Sequence, residues 1–454
     1  MRASTFVRRT TVLGAGIGVS AVIVACATAE DVDRAAPDAP DAPAPSVLSP
    51  EDTADASEAD AATSVDAARA CSPDGWCLTT APGTGIAFNG IAPLEKSAFS
   101  ILSSAYLGRR VAEWTPDGGW SLLTRVDQSN WPVSVTEGDI WAPDADTVYF
   151  SVVDNSALYA SVYGFDLTYG AVVVRGRRPV APATEWIWSQ SRIFCDRWVG
   201  GAGVGGSKDG NVYVATCGKI FRLDTSVDAS APSDGGPETL RWIDDGFVDV
   251  DPTNPIEFRE IGGTGPDDLW FAGGRILDAT SNCALLVHKT SDGYRTLIDG
   301  IPQPSQCLAR GSLPMVKGAF VAGMHAFSKN RVVTVVPTPA ASGKSAAQLV
   351  DVGHSGDQVT VRTADAPVEG QRLLSPWAAS EDDILAIGCD DSGGCFIRRG
   401  QSVWGDDPSW SFSQLAINGL RNPARIEKLR GTSTQNLWAV GGGTNGLAYH
   451  KSTP

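Results

Sequence analysis

Short apolar stretches recur along residues 71–454, each preceded by polar residues and in many cases followed by glycine. The clearest copies are Asp267–Gly274, Asp382–Gly388 and Gln435–Gly442, where an acidic or amide residue precedes a run such as Leu-Trp-Ala-Val. Brief apolar runs bounded by turn residues predict β-strands, and apolar runs with helical spacing are absent outside the N-terminus. The pattern therefore predicts an all-β chain of many short strands.

One large apolar residue marks each repeat, and its spacing indicates the architecture. These marker residues are Phe99, Tyr149, Tyr213, Trp270, Val333, Leu385 and Trp438. They are 50, 64, 57, 63, 52 and 53 residues apart, which leaves room for four antiparallel strands in each unit. A period of this size filled with strand signals predicts a β-propeller. We expect seven four-stranded blades, with six or eight as alternatives.

The two ends of the repeat region predict how the ring closes. After Trp438 the chain has room for a third strand at Leu447–His450 but not for a fourth before Pro454. The segment Ser72–Leu78 is similar to the turn and fourth strand at Thr115–Leu122. We therefore expect the N-terminal segment to complete the last blade, which removes an open sheet edge.

Charge narrows the range of partners. Lys and Arg number 36 against 52 Asp and Glu, for a formal net charge of −16. Nucleic acids and anionic membrane surfaces attract clustered positive charge, so this balance disfavours both as direct partners of the folded body. The sequence also contains no phosphate-binding or dinucleotide-binding fingerprint on a strand–helix unit, and we expect no cofactor.

The N-terminus has the pattern of an export signal. Positive residues at Arg2, Arg8 and Arg9 precede a 14-residue apolar stretch, Val12–Ala25. This length is short for a final membrane span and typical of a signal peptide. The Arg8-Arg9 pair also fits twin-arginine export, so both export routes stay open.

The signal ends in Ile23-Val24-Ala25-Cys26, which resembles the lipobox of bacterial lipoproteins. The resemblance implies cleavage before Cys26 and attachment of diacylglycerol to its thiol. The alternative is an ordinary secretory signal with an unrelated cysteine. The resemblance predicts a lipid anchor in the cell envelope, with the outer membrane favoured over the inner.

Residues 27–70 contain 15 Ala, 5 Pro and 11 Asp or Glu and no aromatic residue. Such a segment has too little apolar surface to offset the entropy of ordering. We therefore divide the chain into a signal at 1–25, a disordered tether at 26–70 and a propeller domain at 71–454.

Eight cysteines remain after Cys26, and they lie in neighbouring pairs. An even number downstream of an export signal predicts disulfides. The predicted bonds are Cys71–Cys77, Cys195–Cys217, Cys283–Cys307 and Cys389–Cys395. The sequence has no Cys-x-x-Cys and its four histidines are not spaced as ligand sets, so we expect no zinc site. Calcium stays open at acidic turns such as Asp249-x-Asp251 with Asn254.

The repeats at Asp267–Gly274 and Gln435–Gly442 resemble secreted bacterial propellers with repeated D-x-W-A-V-G blades. The turn at Thr115–Trp120 is also similar to the Asp-box of sialidase-type propellers, but lacks one residue of that box. These resemblances imply a fold and no particular reaction, because propellers carry many unrelated functions.

Residues just before the inner turn of each blade are expected to face the central mouth. In this register the candidate ligand-binding residues are Trp141, Trp198, Arg259, His325, Trp377 and Arg430. Tryptophan faces stack on sugar rings or partner side chains, and arginine donates directed hydrogen bonds. The alternative for each tryptophan is packing between blades, and for His325 an ordinary buried polar role.

The sequence contains no catalytic constellation, so we leave catalysis undecided and favour a non-enzyme. There is no nucleophile elbow, and a sialidase-like arginine cluster at Arg197, Arg259 and Arg430 is an open alternative. The leading hypothesis is a monomeric envelope lipoprotein whose propeller binds a protein or glycan or acts as a scaffold. The alternative is an envelope carbohydrate-active hydrolase or lyase.

Overall fold

Twenty-nine β-strands form the described part of the chain in a computed structural model of the protein. The structure describes residues 71–104, 108–123, 136–154, 169–196, 200–207, 209–226, 240–277, 281–304, 306–311, 313, 320–339, 345–365, 372–390, 394–413, 415, 425–441 and 446–452. The signal, the tether and Cys26 lie outside these residues. None of the described residues belongs to a helix long and apolar enough to cross a bilayer.

The strands form seven small antiparallel sheets, which are the blades. Blades 1 to 3 contain β2 (Ala87–Pro93), β3 (Ala98–Ser104), β4 (Gly108–Thr115) and β5 (Gly119–Leu122); β6 (Thr136–Trp141), β7 (Thr147–Asp154), β8 (Tyr169–Arg177) and β9 (Ile187–Cys195); and β10 (Gly203–Gly206), β11 (Val212–Thr216), β12 (Lys219–Leu223) and β13 (Trp242–Asp244). Blades 4 and 5 contain β14 (Ile256–Gly265), β15 (Asp268–Ile276), β16 (Asn282–Thr290), β17 (Gly293–Gln303) and β18 (Gln306–Ala309); and β19 (Gly323–Ser328), β20 (Arg331–Pro339), β21 (Ser345–Ser355) and β22 (Gln358–Asp365). Blades 6 and 7 contain β23 (Arg372–Ser380), β24 (Asp383–Cys389), β25 (Cys395–Gln401) and β26 (Ser409–Ser413); and β27 (Ile426–Ser433), β28 (Asn436–Gly441), β29 (Leu447–Lys451) and β1 (Trp76–Thr79).

The first strand of each blade lies innermost, and these inner strands form a closed ring. Each contacts the inner strand of the next blade, in the order β2, β6, β10, β14, β19, β23 and β27, and β27 contacts β2 again. The protein is therefore a seven-bladed β-propeller, as the marker spacing predicts. One difference is that blade 4 has a fifth strand, β18, added outside β17.

The N-terminal strand closes the ring. β1 pairs with β29 as the outermost strand of blade 7, with Trp76 opposite Lys451 and Leu78 opposite Tyr449. Trp76 is fully buried, and its indole Nε1 donates a 2.8 Å hydrogen bond to Ser413 Oγ in blade 6. The two ends of the described chain thus meet in one sheet, which confirms the predicted closure.

Apolar cores fill each of the seven interfaces between consecutive blades. The marker residues lie on the second strand of each blade and are buried in these cores. Both faces of each central strand are covered by neighbouring blades, which explains why the sequence alternates only loosely between apolar and polar residues.

The four predicted disulfides are confirmed. The sulfur atoms of Cys71–Cys77, Cys195–Cys217, Cys283–Cys307 and Cys389–Cys395 lie at bonding distance. Four disulfides indicate that the folded domain matures in an extracellular or otherwise oxidising environment.

Candidate functional site

Four of the predicted mouth residues occupy equivalent positions in the ring. Each pairs on the inner strand with the marker residue of its own blade. The complete set of marker partners, from blade 1 to blade 7, is Ala92, Trp141, Gly205, Gly262, His325, Trp377 and Arg430. These residues lie at one level of the inner strands, and Gly262 rather than Arg259 occupies that level in blade 4.

The two described tryptophans at this level pack between blades. Trp377 is 3% exposed, and its Nε1 donates to the carbonyl of Gly431 in blade 7 at 3.0 Å. The ring of Trp141 lies against Gly206 of blade 3, where a Cβ atom would approach it to 3.0 Å. Both indole rings therefore pack against neighbouring blades. Trp198 lies outside the described residues.

His325 is part of the same packing. Its ring lies 5.4 Å from that of Trp377, in a tilted arrangement. Burial lowers the pKa of His325 to about 4, although a backbone hydrogen bond at Ala378 acts in the opposite direction. The imidazole is therefore neutral at neutral pH and supplies no positive charge to the mouth.

The principal charged contact near the axis joins two distant blades. Arg430, on the inner strand of blade 7, forms a salt bridge with Glu260 on the inner strand of blade 4. Blades 4 and 7 are three steps apart in a ring of seven, so the ion pair bridges the central space. The second carboxylate oxygen of Glu260 accepts a 3.0 Å hydrogen bond from the backbone N–H of Met324.

Two further polar groups complete this arrangement. The Arg430 guanidinium donates to Ser375 Oγ at 2.7 Å and to the carbonyl of Leu429 at 2.8 Å. Asp139, on the inner strand of blade 2, is buried and accepts a 3.0 Å hydrogen bond from the N–H of Ile140. Burial lowers the pKa of Arg430 overall, and the negative charge of Asp139 acts in the opposite direction. An arginine side chain keeps its charge in proteins because its ordinary pKa is so high. We call Asp139, Glu260 and Arg430 the axial charge cluster.

Glycines bring the inner strands close enough for this contact. At Gly323 an added Cβ would lie 2.8 Å from the Cα of Ser375 in the next blade. At Gly205 it would lie 2.8 Å from the Cβ of Ile261. The inner strands approach closely at these points because no side chain separates them, and the charged groups lie in a narrow central space.

Arg259 contacts protein groups outside the axial charge cluster. Its Nε donates to Glu257 at 2.7 Å, and its guanidinium lies 3.8 Å from the centre of the Phe320 ring. The side chain is 46% exposed. Both described members of the arginine set considered for a sialidase-like site, Arg259 and Arg430, are therefore paired with protein groups. Arg197 lies outside the described residues.

A buried polar network explains the repeated Asp/Asn-x-Trp motif. The indole of Trp270 stacks on His288 at 3.9 Å, and Asp268 binds both the indole Nε1 and His288 Nε2. The other ring nitrogen of His288 contacts His354 of blade 5 at 2.6 Å. Burial acts to raise the pKa of Asp268, but hydrogen bonds, chiefly from His288, lower it overall.

The same network recurs in blade 7. Trp438 stacks on His450 at 4.2 Å, and the side-chain oxygen of Asn436 contacts both Trp438 Nε1 and His450 Nε2. Asn436 also donates to the carbonyl of Leu94 in blade 1. The motif residues therefore link adjacent blades. Sequence analysis identified the acid and the tryptophan as repeat signals but missed the histidine on the third strand, which pairs directly with the marker.

The acidic turn considered for calcium binds guanidinium groups instead. Asp249 and Asp251 form salt bridges with Arg275 and Arg310, at 2.8 and 2.6 Å. Arg275 is 1% exposed and also pairs with the buried Asp299. Among the described residues, no group of three or more His, Cys, Asp or Glu side chains is arranged to hold a metal ion. The turn therefore fixes the connection between blades 3 and 4.

Among known proteins, this chain is similar to a set of solved structures. No family model matches the chain, and neither does any curated protein. Prolyl oligopeptidase B from Galerina marginata is 11% identical over 82% of this chain, with a TM-score of 0.46, and this chain spans 50% of that protein. The soluble aldose sugar dehydrogenase of Escherichia coli is 13% identical over 80% of this chain and 95% of its own, with a TM-score of 0.36. Drosophila Semaphorin 1a is 8% identical over 83% and 88%, with a TM-score of 0.41.

Proposed function

We propose that the protein is an exported lipoprotein whose propeller acts as a non-enzymatic binding module, tethered to the cell envelope through Cys26. The lipid would hold the N-terminus at a membrane, and residues 27–70 would separate the propeller from it. As a flexible chain this segment would span on the order of 35–40 Å.

The main support for this proposal is that the charged side chains of the axial charge cluster are paired with protein groups. Arg430 binds Glu260 and Ser375, and Glu260 binds the backbone of Met324. A hydrolase of sugars needs two carboxylates free to face a bound substrate. Here the buried charged groups hold blades 4, 6 and 7 to one another, which supports a structural role for them.

Two further observations support the location. The lipobox-like Ile23–Cys26 lies at the end of the apolar signal. The four disulfides suit a domain that folds outside the cytoplasm. The net charge of −16 disfavours direct adsorption of the propeller to anionic lipid, so the anchor would supply the membrane attachment.

The anchor is tested by expressing the full chain and its Cys26→Ser variant in a bacterial host. We expect the wild type to incorporate radiolabelled palmitate and to float with membranes, and the variant to do neither. Equal labelling and equal membrane fractions for both proteins would overturn the lipid anchor.

Absence of catalysis is tested with the purified full-length protein on a panel of polysaccharides, aryl glycosides and peptides. We expect no product release above the buffer control. Release of product that is abolished in the Glu260→Gln variant would assign catalysis to the axial charge cluster and overturn the non-enzymatic proposal.

A further inference from the structure

Two histidines from adjacent blades contact each other through their ring nitrogens. His288 on β16 of blade 4 is fully buried, and its Nδ1 lies 2.6 Å from Nε2 of His354 on β21 of blade 5. The ring centres are 4.6 Å apart. The other nitrogen of His288, Nε2, lies 2.7 Å from Asp268 Oδ1. The three side chains therefore form one continuous chain of hydrogen bonds across the interface between blades 4 and 5.

The partners of each ring determine where its proton lies. Burial acts to raise the pKa of Asp268, but hydrogen bonds, chiefly from His288, lower it overall, so the carboxylate is ionised and only accepts. His288 Nε2 must therefore carry a proton. In a neutral imidazole the other nitrogen is an acceptor, so His288 Nδ1 accepts a hydrogen bond from Nε2 of His354. At neutral pH each ring thus carries one proton, and His354 Nδ1 carries none.

The Nδ1 atom of His354 is the position that takes up the next proton. It is buried and has no hydrogen-bond partner among the described residues. Burial lowers the pKa of His354, and the neighbouring His288 ring lowers it further, whereas the backbone of Gly356 acts in the opposite direction. Uptake of this proton leaves the chain of hydrogen bonds intact, because Nε2 of His354 still donates to His288.

The charged groups around the pair compensate one added proton. Asp268 faces the pair from β15, and its negative charge raises the pKa of His354. Arg295 faces it from β17 and lowers that pKa, and its guanidinium lies 3.5 Å from the fully exposed carboxylate of Asp357. Since Asp357 balances Arg295, Asp268 is left to balance one positive charge on the imidazoles.

A second added proton is incompatible with the contact between the rings. It would occupy Nδ1 of His288, which is the acceptor in the bond between the two histidines. Two N–H groups would then face each other across 2.6 Å. The hydrogen bond would be lost, and two positive charges would stand in contact inside the protein, where their repulsion is strong.

Blade 7 contains the same motif without this feature. Asn436 occupies the position of the carboxylate, and its side-chain oxygen contacts His450 Nε2 at 3.1 Å. The ring of His450 stacks on Trp438, and the ring that it meets from the next blade is Trp114, 4.8 Å away. An indole takes no proton in this pH range, so blade 7 supplies an internal reference for the pair in blades 4 and 5.

We propose that Asp268, His288 and His354 form a pH-sensitive joint, which holds blades 4 and 5 together at neutral pH and opens this interface when acid protonates both imidazoles. Opening would separate the ends of β16 and β21 and uncover the indole of Trp270, which stacks on His288. The acidity of the surroundings would then control one of the seven blade interfaces. This inference goes beyond the proposed binding function and does not depend on it.

The first test is a nuclear magnetic resonance titration of the full chain carrying isotope-labelled histidine, since the protein has only four histidines. At about pH 7.5 we expect both rings of the pair to carry their proton on Nε2, with a through-bond coupling between His288 Nδ1 and His354 Nε2. The coupling should disappear in acid together with protonation of His288. Absence of the coupling at neutral pH, or its survival once both rings are protonated, would overturn the proposal.

The second test compares amide exchange in the wild type and His354→Gln, whose amide can donate to His288 Nδ1 but does not titrate. At about pH 4.5 we expect β16 and β21 to exchange about tenfold faster in the wild type, because a lost hydrogen bond shifts the opening equilibrium by about this factor. At about pH 7.5 the two proteins should exchange equally. Comparison at one pH removes the intrinsic pH dependence of exchange.

The matched control is His450→Gln in blade 7, which leaves the pair in blades 4 and 5 intact. We expect β16 and β21 of this variant to exchange as in the wild type at both pH values. Circular dichroism at neutral pH checks that both variants are folded. Exchange of His354→Gln as fast as the wild type in acid, or equal protection by His450→Gln, would show that the joint does not lie at His354.

Discussion

The buried polar residues of the ring are connected in ways that their positions in the chain do not reveal. Arg430 and Glu260 are 170 residues apart in the chain, about three repeats, and only closure of the ring brings them together. His288 and His354 likewise meet across the interface of blades 4 and 5. The repeat register is readable from the sequence, and Arg430 and His325 each pair with the marker residue of their blade. It did not identify their partners, because partners depend on side-chain direction and on neighbouring blades.

The buried His325 predicts that the folded protein loses stability in acid. Its folded-state pKa of about 4 lies below the ordinary value of 6.5, so the unfolded chain binds a proton more readily between these values. Its contribution to stability is therefore fully present above about pH 6.5 and declines as the pH falls toward 4. The difference amounts to about 2–3 kcal/mol.

The measurement is urea unfolding of the wild type and His325→Gln at about pH 7.5 and pH 4.5, conditions that bracket the ordinary pKa of histidine. We expect the wild type to lose more stability on acidification than the variant does. Equal acid sensitivity of the two proteins would show that His325 does not carry this effect.

At the scale of the elements, strand number and order were predictable and strand length was not. The turn signals and the marker residues indicate where each blade begins. The nine residues of β9 and the five and three residues of β12 and β13 had no signal in the sequence. The added β18 was missed for a similar reason, since the four-residue segment Gln306–Ala309 forms a strand only by pairing with β17.

The disulfides differ in the loops that they close. Cys283 and Cys307 are 24 residues apart, and Cys389 and Cys395 are 6 apart. Because a longer closed loop restricts the unfolded chain more, we expect replacing the first pair by alanine to cost about 1 kcal/mol more than replacing the second. Unfolding midpoints of the two double variants check this. Equal losses, or a larger loss for Cys389 and Cys395, would contradict it.

At the scale of the whole molecule, stability depends on joining the two ends of the repeat region. Trp76 on β1 is fully buried and reaches Ser413 in the neighbouring blade. We expect Trp76→Ala to reduce the free energy of unfolding by about 3–5 kcal/mol, because a large core side chain is removed at the closing seam.

The matched control is Trp410→Ala, a partly exposed tryptophan on β26, the outermost strand of blade 6. We expect a clearly smaller loss of unfolding free energy there. If the two substitutions destabilise equally, the closing strand contributes no more than any other outer strand.

If the charged groups on the axis hold the ring together rather than serve chemistry, Arg430 and Glu260 should be energetically coupled in the folded state. A double-mutant cycle of Arg430→Met and Glu260→Gln measures this coupling through the free energy of unfolding. Removing Arg430 alone leaves Glu260 and Asp139 buried without their cation, so we expect a loss of about 3–5 kcal/mol.

The double variant should lose clearly less than the sum of the two single variants, because each substitution relieves the charge left by the other. The exposed pair Arg399–Asp383, whose side chains are 47% and 20% accessible, is the control, and we expect its coupling to stay within about 1 kcal/mol. Strong coupling at Arg430–Glu260 and weak coupling at Arg399–Asp383 is the predicted result. Additive losses at Arg430 and Glu260 would show that this ion pair does not hold the ring together.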